Sequence, residues 1–117
     1  MGSHPVPGDL SKQEKIMSTM VTVEWPTKSG TLPDFLDVLK QLLPDTRAYE
    51  GCENVQTFVE ESTGSVLLIE FWATEELQQE YLEWRMETGM MDVVGGYLKG
   101  PPVVRTFSIF VLFYFEY

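Results

Sequence analysis

Apolar residues recur along this chain with two periods, and the change of period marks its elements. The stretch Ser65-Val66-Leu67-Leu68-Ile69-Glu70-Phe71-Trp72 reads as a strand that is apolar on both faces, with one carboxylate among the apolar side chains. Alternation puts Val66, Leu68, Glu70 and Trp72 on one face and Leu67, Ile69 and Phe71 on the other. Met17 to Trp25 alternates and is rich in β-formers, and Pro26 stops it. Asn54 to Glu60 forms a further strand, joined to the first stretch by a Glu61-Ser62-Thr63-Gly64 turn. Val103 to Phe110 is the last strand, reached through Gly100-Pro101-Pro102.

Between the strands the period lengthens. Leu32, Phe35, Leu36, Leu39, Leu42 and Leu43 follow the spacing of one buried helix face, with Thr31 as cap and Pro33 in the tolerated first turn. Pro44 predicts a kink there, with Asp45 capping a short second segment through Tyr49, and Gly51 supplies a left-handed cap. A second helix runs from Glu75 to about Thr88, capped by Thr74, with Leu77, Tyr81 and Trp84 on one stripe. Gly89 ends it, and Met90 to Leu98 forms another helical piece weakened by Gly95-Gly96.

The resulting order is β-α-β-β-α-β. It predicts an α+β, ferredoxin-like sandwich: a mainly antiparallel four-stranded sheet with both helices on one face. The other face is then bare, yet the strands carry apolar residues on both sides, as Val21 and Val23 stand against Met20 and Thr22. A second copy packed through the sheet, a two-fold homodimer, covers it most simply.

Length and composition narrow the picture. At 117 residues the chain holds one domain, with 44% hydrophobic and 22% charged residues. We divide it into a flexible N-terminal segment with a tag remnant (1–15), the folded domain (16–110) and a hydrophobic C-terminal extension (111–117). That extension continues an aromatic run from Phe107 to Tyr117, which is expected to lengthen the last strand. A net charge of −10 repels phosphate backbones, so nucleic acid is not an expected partner. No apolar run approaches the roughly 18 residues of a membrane span, so no membrane partner is expected. The lone Cys52 excludes an internal disulfide framework and fits a reducing cytoplasm. One histidine, His4, and one cysteine leave too few soft ligands for a zinc, haem or iron–sulfur centre.

Several segments, taken in order, resemble the antibiotic biosynthesis monooxygenase family. They are Phe35-Leu36-Asp37-Val38-Leu39, Tyr49-Glu50-Gly51-Cys52, Leu68-Ile69-Glu70-Phe71-Trp72 with the Thr-Glu-Glu helix start after it, and Gly100-Pro101-Pro102. The resemblance runs from about Met20 to Phe107. The chain looks most like members carrying Leu43-Pro44-Asp45-Thr46-Arg47 and Tyr81-Leu82-Glu83-Trp84-Arg85. Membership implies a dimeric α/β-barrel of ferredoxin-like subunits. The family includes cofactor-independent oxygenases of aromatic polyketides and quinols, haem-degrading enzymes and an enzyme of a quorum-signal pathway. Many relatives carry a histidine around Tyr81, and the haem-degrading branch has an axial histidine around Met91. This chain has no histidine after His4, which disfavours haem degradation and excludes a histidine-based mechanism.

The resemblance implies a monooxygenase that needs no cofactor and acts on a small aromatic, polyketide-like or quinol substrate. Such chemistry requires a base, a hydrogen bond to the developing oxyanion and exclusion of water. Glu70 is the candidate base; alternatively it pairs with an arginine or lies in the dimer interface. Trp72 either stacks on the substrate or belongs to the core. Tyr81, Trp84 and Arg85 either form a pocket mouth or belong to an amphipathic helix whose arginine snorkels to water. Arg47 and Arg105 either hold a carboxylate or bind a substrate phenolate. Met91, with Met86 and Met90, suits an adaptable lining or a plain core, and Cys52 reads as structural. The alternative function is a non-catalytic dimeric domain that binds a small molecule or serves a structural role.

Overall fold

The computed structural model describes residues 13–112. Its elements are β1 (Gln13–Pro26), α1 (Leu32–Ala48), β2 (Cys52–Glu60), β3 (Ser65–Trp72), α2 (Glu75–Glu87), α3 (Met90–Val94) and β4 (Val103–Leu112), with a 3-10 turn over Gly95–Tyr97 before β4. The strands form one antiparallel sheet in the order β2-β3-β1-β4. This is the expected ferredoxin-like α+β arrangement.

Register fixes which residues share a face. Val21 lies opposite Glu70, Val23 opposite Leu68 and Trp25 opposite Val66. All six are buried beneath the helices. Their neighbours Met20, Thr22, Leu67, Ile69 and Phe71 point the other way and stay half-buried. From α1, Phe35, Leu39 and Leu43 descend onto the covered face at helical spacing and close the core with Val55, Val94 and Leu98.

Several boundaries differ from expectation. β1 begins at Gln13 rather than Met17, with a bulge between Ile16 and Thr19 that resets its register against β4. The last strand does lengthen, by two residues, to Leu112; residues 113–117 lie outside the described residues, as do residues 1–12. α1 is a single helix that continues through Pro44 to Ala48, not two segments. Pro44 sits on its exposed side, where water can satisfy the carbonyl that its ring deprives of a donor. Thr31 precedes α1 without capping it; its hydroxyl lies 2.8 Å from the Lys28 carbonyl and 2.9 Å from that of Tyr97. Thr74 caps α2 as expected, accepting from the Leu77 amide at 3.1 Å.

Gly51 has φ +92°, and an added Cβ would lie 2.7 Å from Leu77. Only glycine lets the β2 approach lie this close to α2.

Candidate functional site

The carboxylate of β3 faces the helices. Glu70 is only 4% exposed, and its Oε1 accepts a 2.9 Å hydrogen bond from the Trp72 indole N–H. The two residues are neighbours on one strand face, so the bond follows from the alternation itself. Burial pushes the Glu70 carboxyl above its ordinary range, and the Trp72 bond opposes that rise in part.

The second polar group comes from α2. The buried residues of this helix are Gln78, Tyr81 and Arg85, the i, i+3, i+7 stripe, rather than the expected Leu77, Tyr81 and Trp84. Arg85 does not snorkel: it is 5% exposed. Its Nε donates to the Tyr81 hydroxyl at 2.8 Å, and its Nη2 to the Leu42 carbonyl at 2.7 Å and the Thr46 hydroxyl at 3.2 Å. Tyr81 and Thr46 are themselves bonded at 2.6 Å. Trp84 flanks the guanidinium at 4.7 Å from its ring centre. Burial raises the Tyr81 phenol, while the bond from Arg85 opposes this. Turned inward, Arg85 ties α2 to α1 through the Leu42 carbonyl and the Thr46 hydroxyl.

Glu70 and Arg85 border the same cavity, between the sheet and the helices. Its volume is about 60 Å³, and its walls are largely Val23, Leu39, Leu43, Leu68 and the methionines Met86, Met90 and Met91. Met86 and Val104 line it and are exposed, so the cavity reaches the surface between α2 and β4. The sealed side-chain polar atom without a partner, among the described residues, is Trp25 Nε1. Glu70 Oε2 and Arg85 Nη1 also lack a protein hydrogen-bond partner there, and neither is sealed.

The structure thus brings together Glu70, Tyr81, Arg85 and Met91. Trp72 is fully buried, packed against the rings of both Tyr49 and Tyr81, and does not line the cavity; nor does Trp84. Arg47 is exposed and donates to the Val55 carbonyl at 3.3 Å. Arg105 lies opposite Thr22 on the uncovered face, with its guanidinium 5.0 Å from the Phe107 ring centre. Cys52 is half-buried with its thiol raised by burial, consistent with an inert role.

Sequence reasoning missed Gln78, Thr46 and Trp25, all on the cavity wall. For Gln78 and Thr46 a signal existed. Gln78 sits three residues before Tyr81, and Thr46 three after Leu43, so each lies on a buried stripe despite its polarity.

A helix-covered antiparallel sheet with an acid and a guanidinium bordering one mostly apolar cavity defines the class: a ferredoxin-like α+β domain with a small cavity between sheet and helices. The profile of the antibiotic biosynthesis monooxygenase family matches residues 18–87, more than half of the chain, and the chain belongs to that family. No curated protein matches it. Among solved structures it is similar to protein SO0527 from Shewanella oneidensis, at 17% identity over 85% of this chain and 98% of that one, with a TM-score of 0.72. A conserved protein from Methanosarcina mazei Go1 is similar at 16% identity over 79% of this chain and 92% of that one, TM-score 0.70. A monooxygenase from the gene ActVA-Orf6 of Streptomyces coelicolor, in complex with nanaomycin D, shares 11% identity over 86% of this chain and 94% of that one, TM-score 0.69. At such identities the likeness is one of fold. Among the described residues, no helix is long and apolar enough to cross a membrane.

Proposed function

We propose that this protein is a monooxygenase that works without a cofactor on a small aromatic, polyketide-like or quinol substrate, bound in the cavity between sheet and helices. The observation that carries this is that a buried carboxyl, Glu70, and a buried guanidinium, Arg85, border one mostly apolar cavity. Glu70 takes a proton from a phenol or an activated C–H, and Arg85 stabilises the anion that forms. The anion passes an electron to dioxygen. For an anthrone the balance is CH2 + O2 → C=O + H2O, so neither metal nor flavin is required. Family membership supports the reaction class. The Streptomyces coelicolor neighbour with nanaomycin D supports a small-molecule occupant.

At about 60 Å³ the cavity holds a few waters, well short of the roughly 300 Å³ of a ligand pocket. Rotation of Met86, Met90 and Met91, the unbranched and pliable part of the wall, opens the space for a flat ring. Tyr81 and Met91 then touch substrate, while Trp72 and Trp84 back the site. Arg47 and Arg105 act outside it. The uncovered face of the sheet is closed by a second copy, giving a homodimer.

Oxygen uptake by metal-free protein over a panel of hydroquinones and anthrones tests this. Glu70→Gln should lose about 100-fold or more of the activity, the usual weight of a general base. Arg85→Lys should lose activity too, because an ammonium does not reproduce the guanidinium fork. Unchanged uptake in Glu70→Gln removes the base assignment. A wholly inactive panel, with calorimetric binding retained, makes the protein a binding domain.

A further inference from the structure

The bond between Glu70 and Trp72 has a chemical direction. An indole N–H donates and has no lone pair to accept with, so Glu70 Oε1 is an acceptor in this bond whatever the charge of the carboxyl. A carbonyl oxygen accepts better than a hydroxyl oxygen, so when Glu70 is protonated this bond favours the hydrogen on Oε2. We propose that Trp72 is a positioning residue that makes Glu70 one-sided: the indole holds Oε1 and leaves Oε2, on the cavity, as the single atom that takes up and returns a proton.

Three observations fix this geometry. Trp72 is completely buried. Its ring is held by Tyr81 at 5.0 Å and by the edge of Tyr49 at 6.3 Å, so the indole cannot swing its N–H elsewhere without unpacking both. No other hydrogen bond reaches Glu70 among the described residues, and the residue lines the cavity. A carboxyl free to rotate would present either oxygen and could place its proton away from the ligand. Here rotation costs a buried, charge-assisted hydrogen bond. The tryptophan that the sequence offered as a stacking wall instead acts through the acid beside it. The charged and titratable groups around that acid are Tyr81 and Arg85 on α2 and Cys52 on β2.

The consequence for catalysis rests on the proposed function, but the test does not. The Glu70 carboxyl is titrated in the ligand-free protein by its side-chain carbon resonance, in wild type and in Trp72→Phe. Loss of a donor to the ionised form should move the midpoint up by about one pH unit or more. Because a smaller ring also perturbs packing, the same titration is run with a benzothienyl analogue of tryptophan at position 72. That analogue keeps the fused-ring shape and lacks the N–H. A midpoint that rises in both proteins supports the proposal; one that stays in place in the analogue overturns it. If the shift appears while every oxygen-uptake assay is blank, the positioning role stands and the monooxygenase assignment falls. Where activity is present, the acid limb of its pH profile should move by the same amount in the analogue.

Discussion

The two faces of this one sheet both carry apolar side chains and have opposite fates. On the covered face, Val21, Val66 and Trp72 are wholly buried, and Leu68 is 3% exposed. On the other, Ile69 and Phe71 are half-buried, and Phe58 is 46% exposed. Each face also carries an arginine neighbourhood. The one on the covered side is knit into hydrogen bonds with Tyr81, Thr46 and Leu42, while Arg105 on the open side rests over Phe107. Hydrophobicity therefore does not separate the covered face from the open one. What separates them is whether the polar groups among the apolar ones have been given fixed partners and a common cavity.

Neighbouring residues on β3 offer the strongest way to break this contrast. Leu68→Ala opens a hole in the closed core and should cost about 3 kcal/mol at any protein concentration, read by chemical denaturation. Ile69→Ala, one residue along and on the opposite face, should cost far less in an isolated chain. If a second copy covers that face, its cost depends on concentration, and light scattering shows weakened dimer. Equal, concentration-independent losses at the two positions would mean that the faces are not energetically distinct.

Much of this contrast was legible in the chain. Alternation in β3 gave its two faces and its bounds, Ser65 to Trp72, because a strand puts every second residue on the same side whatever its neighbours are. Nothing in that alternation says which side the helices take, and this decides the role of Glu70. The snorkelling alternative for Arg85 fails for a related reason. An arginine on a helix rich in Glu and Gln reads as a solvated residue, and only tertiary placement of the Tyr81 hydroxyl, Thr46 and the Leu42 carbonyl makes its burial tolerable. Trp25 gave no warning at all, since an apolar strand position says nothing about where an indole N–H will end.

Within the covered face, Glu70 is the group whose burial works against folding, so replacing it sharpens the comparison further. An unfolded chain leaves this carboxyl near its ordinary value of 4.5, and burial raises it in the native state. Between those two values the folded protein holds the proton more tightly than the unfolded one. Stability therefore falls as pH rises through that window and is level above it. Glutamine carries no charge to desolvate and can still accept from Trp72. Glu70→Gln should be more stable than wild type by roughly 1 kcal/mol at neutral pH. The gap should close once the pH falls below 4.5. A variant less stable than wild type at neutral pH would show that the carboxylate has a stabilising partner.

The smallest effect is expected on the open face. Arg105 is exposed, and its contact with Phe107 is of the exposed cation–π kind, worth about 0.5 kcal/mol. Arg105→Gln should leave chain stability within that margin and leave any oxygen uptake at the wild-type level, whereas the same loss of charge at Arg85 removes a cavity group. Its effect should appear instead in association, because the residue sits on the open face that a second copy would cover, on edge strand β4 opposite Thr22. A changed salt dependence of the dimer with unchanged uptake places Arg105 at an interface. A loss of uptake in the intact dimer would mean that the open face contributes to the site, and the division of labour between the two faces would have to be given up.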